Sequence, residues 1–292
     1  MPHLTGPKEE AQARLAKRLA KLTREHRREI EQLAGFPPNL DRVPETVWDR
    51  HEQEMADELA AVALLLFVLG GGNLYSLAGR RFDDETISRR GEHWATERAR
   101  DTAGSFVDHS RARLETAARK TTAETTPREW RESLETVYSE SRVTTVAKTE
   151  TRTAVTEGEK SAAEEVNEDA KDPAKPEKTL VLTAYWHHDD PNPPPGHAGA
   201  AKDPCPICTP LLGRPLSELP APFQSGPAGH PGCDCSLIWR DQDGNITAGR
   251  DDTDQPTIDR LPAFMKGRQP PVRRTPLRGL GSRRPPRKYK PR

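Results

Sequence analysis

All four cysteines of this chain, Cys205, Cys208, Cys233 and Cys235, fall in one short window, as Cys-x-x-Cys and then Cys-x-Cys, with His230 three residues ahead of Cys233. The window is crowded with Pro and Gly, including Pro193-Pro194-Pro195-Gly196. It lies between two β-branched, aromatic runs, 179–186 (TLVLTAYW) and 235–240 (CSLIWR), which read as short strands able to pair. About fifty residues separate them, a length that argues against a structureless loop inside a compact domain. Something other than a hydrophobic core is expected to order the stretch.

Zinc meets that need. A Cys-x-x-Cys turn sets two thiolates on one side of a tight knuckle, and a second Cys/His group about twenty residues on completes the tetrahedron that zinc prefers. Cys205, Cys208, His230, Cys233 and Cys235 compete for four places. Cys233 and Cys235 would crowd one ion if both pointed inward from a strand, and Cys235 is the favoured one of the two. Two disulfides are the alternative; the chain opens with no basic segment, apolar stretch and cleavage site of a secretory signal, which predicts a cytoplasmic setting where thiols stay reduced. A structural zinc would supply roughly 10 kcal/mol or more of folding free energy to a stretch whose composition cannot.

The rest of the chain is poor in core-forming residues. Of 292 residues only 33% are hydrophobic and 5% aromatic, against 31% charged and 28 prolines. That excludes a large compact core and predicts helical segments around modest cores, with extended arms and linkers. Positions 266–292 hold eleven Lys or Arg and no Asp or Glu, so the 45 basic and 45 acidic residues are unevenly spread, and the preceding chain carries a net charge of −11. An acidic body precedes a basic tail.

Helical periodicity appears at 8–33 through Leu15, Leu19, Leu22, Ile30 and Leu33, ending at Pro37-Pro38. A second helix is expected from about Pro44 through the apolar run 59–69 (LAAVALLLFVL), stopped by Gly70, Gly71 and Gly72. That run is too short to cross a bilayer, which takes roughly 20 apolar residues, so a buried helix is expected and no membrane partner. A third helix covers about 83–120. Thr126-Pro127-Arg128-Glu129 is a capping box with proline at the first helical position, so a helix should start there, with Trp130, Leu134, Val137 and Tyr138 at helical spacing. The polar stretch 141–170 continues with Val143, Val146 and Val155 as packing residues, closed by Pro173 and Pro176. The fold class expected is α+β: a mainly helical N-terminal half, a small zinc-stapled β-containing module and a disordered basic tail. The divisions expected are a helical arm at 1–43, a helical region at 44–125, a zinc-bearing domain at 126–245 and the tail at 246–292.

Two catalytic patterns are incomplete. Pro204-Cys205-Pro206-Ile207-Cys208 copies half of a zinc deaminase site, but Gly199 stands where the proton-shuttling Glu after His197 would be. His187, His188, Asp189 and Asp190 combine imidazole and carboxylate as metal-assisted hydrolysis requires, yet a polar run leaving a strand after Trp186 and entering a Pro-rich segment is ordinary turn chemistry.

Taken in order, the features of 146–240 resemble the Mu F-like head morphogenesis family of tailed phages, also called minor head or minor capsid proteins. The resemblance rests on Ala147-Lys148-Thr149-Glu150-Thr151-Arg152 in a helix, then Trp186 opening a polar segment to Asp190. Cys205 to Gly213 (CPICTPLLG) follows, and then His230-Pro231-Gly232-Cys233-Asp234-Cys235. Asp234 replaces the Arg usual between the last cysteines, and Pro191 to Pro195 lengthen the spacing from Trp186 to Cys205. The resemblance implies a structural virion-head protein, made in the bacterial cytoplasm, that contacts portal and capsid proteins and handles DNA entering or leaving. Such a protein is not an enzyme. A basic tail free of acidic residues suits phosphate-backbone binding, and equally suits a solubilising role. A zinc-dependent hydrolase or nuclease using His187, His188 or Asp189 is the alternative.

Overall fold

A computed structural model of the chain describes residues 5–81, 84–174, 180–188, 209–211, 213–224, 226 and 235–244. The expected tail lies outside these residues. Five helices and one antiparallel pair of strands carry the fold, in the order α1 (Thr5–Ala34), α2 (Glu45–Leu77), α3 (Asp84–Arg119), α4 (Pro127–Val137), α5 (Glu140–Lys171), β1 (Thr183–His188) and β2 (Cys235–Arg240). Mostly helix with a small two-stranded sheet, it fits the coarser α+β expectation.

α1 buries Leu15, Leu19 and Ile30 from its apolar stripe. Gly35, at φ 67°, takes the chain out of the helix in the left-handed conformation that glycine adopts without strain. α4 starts where the capping box placed it: the Thr126 N–H donates to Glu129 Oε2 at 2.7 Å, and the Glu129 N–H returns to Thr126 Oγ1 at 3.3 Å. Trp130, Leu134 and Val137 are its buried face. The chain breaks at Tyr138–Ser139 before α5 begins, a break that the continuous polar pattern beyond Ser141 did not mark.

α2 departs from its expected end. It does not stop at Gly70 but runs on through Gly70, Gly71, Gly72 and Asn73, all buried, to Leu77. The glycines serve packing. A Cβ on Gly70 would stand 2.2 Å from the Val155 carbonyl oxygen, and one on Gly158 would stand 1.9 Å from the Phe67 carbonyl oxygen. Backbone therefore meets backbone where α2 crosses α5. The C-terminal signal lies seven residues beyond Gly72: Gly79, at φ 63°, donates to Ser76 O while Arg80 N–H reaches back to Tyr75 O at 2.8 Å, a Schellman closure. The apolar run thus belongs to a helix of 33 residues that is long and apolar enough to cross a membrane, contrary to the shorter element expected; 72% of its apolar window is buried inside the fold.

Two principal clusters of buried side chains share the length of α2. One gathers Leu15, Leu19 and Ile30 of α1 with Trp48, Met55 and Leu59 of α2, and with Phe106, Leu114, Trp130, Leu134 and Val143. The other joins Phe67, Leu74 and Tyr75 to Ile87, Val166, Leu182, Leu237 and Trp239, so that the β-ribbon closes the far end of the bundle.

β1 and β2 pair antiparallel, as expected, in the register Ala184↔Trp239, Trp186↔Leu237 and His188↔Cys235. Alternation puts Ala184, Trp186, Cys235, Leu237 and Trp239 on the buried face. β1 starts at Thr183, later than expected, and continues past Trp186 through His187 and His188, where a loop was expected. Its other edge is partly covered: Trp186 N–H donates to Arg214 O at 2.9 Å and Gly213 N–H to Trp186 O at 2.8 Å, with a bridge from Tyr185 to Pro215.

Candidate metal centre beside the ribbon

Of the five expected ligands, Cys235 is described; Cys205, Cys208, His230 and Cys233 lie outside the described residues, as do Asp189 and Asp190. Among the described residues, no group of three or more His, Cys, Asp or Glu side chains is arranged to hold a metal ion. Cys235 opens β2 and is 2% exposed, packed with Trp186, Leu211 and Leu219. This small apolar cluster, built on short 3-10 turns at Thr209–Leu211 and Leu216–Glu218, orders part of the Pro/Gly-rich window by burial, a role expected of metal alone. Cys235 thus lies among apolar side chains, the setting in which cysteine behaves as a small hydrophobe. The backbone register places His188 opposite Cys235.

Gly226, buried at φ 97°, lies where an added Cβ would come 2.8 Å from Thr156 Cγ2 on α5 and 3.8 Å from Leu237 Cδ1. Gly226 is thus seated closely between helix and ribbon.

The stretch 148–152 holds this end of the molecule together. Glu150, 6% exposed, accepts both a 2.8 Å bond from Arg98 Nε and a 2.9 Å bond from Arg98 on its second oxygen, a fork that fastens α3 to α5. Two residues on, Arg152 donates to the carbonyl oxygen of Cys235 at 3.0 Å. Thr149, Thr151 and Thr153 return their hydroxyls to carbonyls one turn back, at 2.9, 2.8 and 2.9 Å, which satisfies them inside the packed helix. Further along α5, Glu159 accepts from the Trp239 indole N–H at 3.2 Å. Asn167 clamps the entry to β1, accepting from Leu182 N–H at 2.7 Å and donating to Leu182 O at 2.9 Å. The Trp186 indole N–H is buried and meets no acceptor among the described residues.

A second cluster of polar groups was not anticipated. His26 of α1 and His51 of α2 stack face to face, ring centroids 3.6 Å apart and planes 11° from parallel, at 4% and 1% exposure. Each reaches a glutamate on the opposite helix: His26 Nε2 lies 2.9 Å from Glu54 Oε2, and His51 Nε2 lies 2.9 Å from Glu29 Oε2. Arg50 completes the group by binding Glu29. Burial, then the neighbouring His51, pushes His26 from 6.5 down to about 3, and burial lowers His51 as well. Arg50 as hydrogen-bond donor holds Glu29 below the usual carboxylate range. The sequence signal is His-x-x-Glu twice, His26/Glu29 and His51/Glu54, one copy on each helix.

Comparison with family models, with characterised proteins and with solved structures gives no match to this chain.

Proposed function

We propose that the chain is a structural minor head protein of a tailed phage or prophage, docking on portal and capsid proteins during assembly and handling DNA through its basic tail. The observation that carries the reading is the bond from Arg152 to the Cys235 carbonyl. It joins the first and last pieces of the ordered motif set that resembles the Mu F-like family, pieces that sequence separates by 83 residues. In this reading 148–152 is a brace, with Glu150 and Arg152 spent on Arg98 and on β2, which is a structural use of charged side chains. A structural zinc would be held by Cys205, Cys208, His230 and one of Cys233 and Cys235, closing the window between the strands. Such a site has no open position for water. The acidic body and the basic tail at 266–292 divide the labour, protein contacts falling to the first and phosphate contacts to the second.

The second reading is a zinc-dependent hydrolase or nuclease, favoured by the register that sets His188 opposite Cys235. A site of that class has three protein ligands and an exchangeable water. Cobalt substitution of the purified full chain separates the two. The expected result is one metal per chain with sulfur-rich tetrahedral spectra and no exchangeable water, together with co-purification of portal or capsid protein from assembling heads. Absence of stoichiometric metal removes the zinc module, and DNA cleavage that disappears in His188→Ala replaces the first reading with the second.

A further inference from the structure

The seam between α1 and α2 is built around the two histidines, and its bonding fixes where their protons sit. Both Nε2 atoms face carboxylate oxygens, which only accept, so each neutral ring carries its hydrogen on Nε2. A further proton on His51 has to enter at Nδ1, which is buried and meets no hydrogen-bond partner among the described residues. A charged imidazole there is also stacked at 3.6 Å against the other ring. We propose that the His26–His51 pair is an acid-sensitive latch, holding α1 on α2 at neutral pH and releasing it when the imidazoles take up protons.

The groups acting on the pair are Glu29 from α1 and Arg50 and Glu54 from α2; α3, α4 and α5 contribute no charged group to either ring among the described residues. Burial dominates at both rings; beside it His51 and Arg50 oppose protonation of His26 while Glu29 favours it, and at His51 Glu29 and Glu54 favour protonation while Arg50 opposes it. The sign follows from linkage. Released histidines protonate near 6.5, whereas in the docked state His26 holds out to about 3, so the released state binds more protons below 6.5. The contribution of His26 to docking is fully present above that pH and is lost as pH falls through the window toward 3. Each unit of pH shifts the equilibrium about tenfold per imidazole. Glu29, held ionised by Arg50, keeps its charge through the upper part of the window. What release exposes is apolar: Leu15, Leu19 and Ile30 of α1, and their partners Trp48, Met55 and Leu59.

Hydrogen exchange of the full chain at pH 7.5 and 5.0, corrected for intrinsic rates, tests the latch. Protection across α1 should fall by about thirtyfold or more at the lower pH, the effect of one imidazole over 1.5 units. The double variant His26→Gln/His51→Gln retains a side-chain N–H donor at each position and cannot titrate, so its α1 protection should not change between the two conditions. Equal protection of the wild type at both pH values overturns the proposal, as does a loss that persists in the double variant. Should that variant fail to fold, NMR titration of the wild-type imidazoles decides. Titration of His26 and His51 should coincide with loss of α1 protection, and titration near 6.5 with α1 still protected would refute the latch.

Discussion

Gly158 sits where two helix backbones touch, and its missing side chain is the reason they can. In Gly158→Ala the new methyl would lie 1.9 Å from the Phe67 carbonyl oxygen, with backbone rather than a flexible side chain in its way. Overpacking of a tight core costs about 1–3 kcal/mol, and a clash against main chain belongs at or above the upper end. Urea unfolding of Gly158→Ala should therefore show a loss of about 3 kcal/mol, whereas an ordinary buried helical Gly-to-Ala change would gain stability from propensity. The role of these glycines was not legible in sequence. Gly70–Gly72 after an apolar run reads as a helix stop, because a left-handed cap and a close approach both ask for the absence of a Cβ. What separates the two uses is Val155 and Gly158, far along the chain. The His-x-x-Glu pairs are silent in sequence for a similar reason: spaced one turn apart, His and Glu are ordinary on an exposed helix face, and only the facing of two copies across a seam buries them. Glu150 belongs to the 147–152 stretch that carries the resemblance, but its partner Arg98 lies 52 residues away and does not follow from spacing.

Elements whose ends are set by neighbouring residues were the readable ones. The start of α4 followed from the reciprocal bonds that Thr126 and Glu129 can make, and the pairing of β1 with β2 from their β-branched and aromatic composition. The start of β1 at Thr183, and its run through His188, depend on partners elsewhere: Asn167 on one side and the 213–215 segment on the other. Asn167 satisfies both backbone groups of Leu182, and in Asn167→Ala neither keeps its protein partner. Loss of the pair should cost about 1–3 kcal/mol. Because the bonds join the ribbon to α5 and no other helix to its neighbour, the loss should be local. Amides of 182–188 and 235–240 are expected to exchange faster while those of α1 to α4 keep their protection. Uniform loosening of the whole chain would assign Asn167 to the global core instead.

For the molecule as a whole, composition excluded a large single core, and the fold answers with long helices sharing modest clusters along α2. Hydropathy indicated a buried apolar run, yet the full length of its helix became evident only with the glycines inside it. In the proposed zinc reading, removal of metal by a strong chelator should leave helical circular dichroism within about a tenth of its starting value, since the clusters around α1–α5 contain no expected ligand. Tryptophan emission should change with it, because Trp186 packs against Cys235. Loss of helix in parallel would mean that bundle and metal module stand or fall together.

The pairing of His188 with Cys235 has an architectural consequence. Two points far apart in sequence are held one strand spacing apart, about 5 Å, and are riveted to α5 by Asn167, Glu159 and Arg152. Between those two points the described 213–215 segment comes back to the ribbon and bonds along its other edge. Both anchor points are tied to one helix, so a pull on either strand is borne by α5 and passes from there into the bundle.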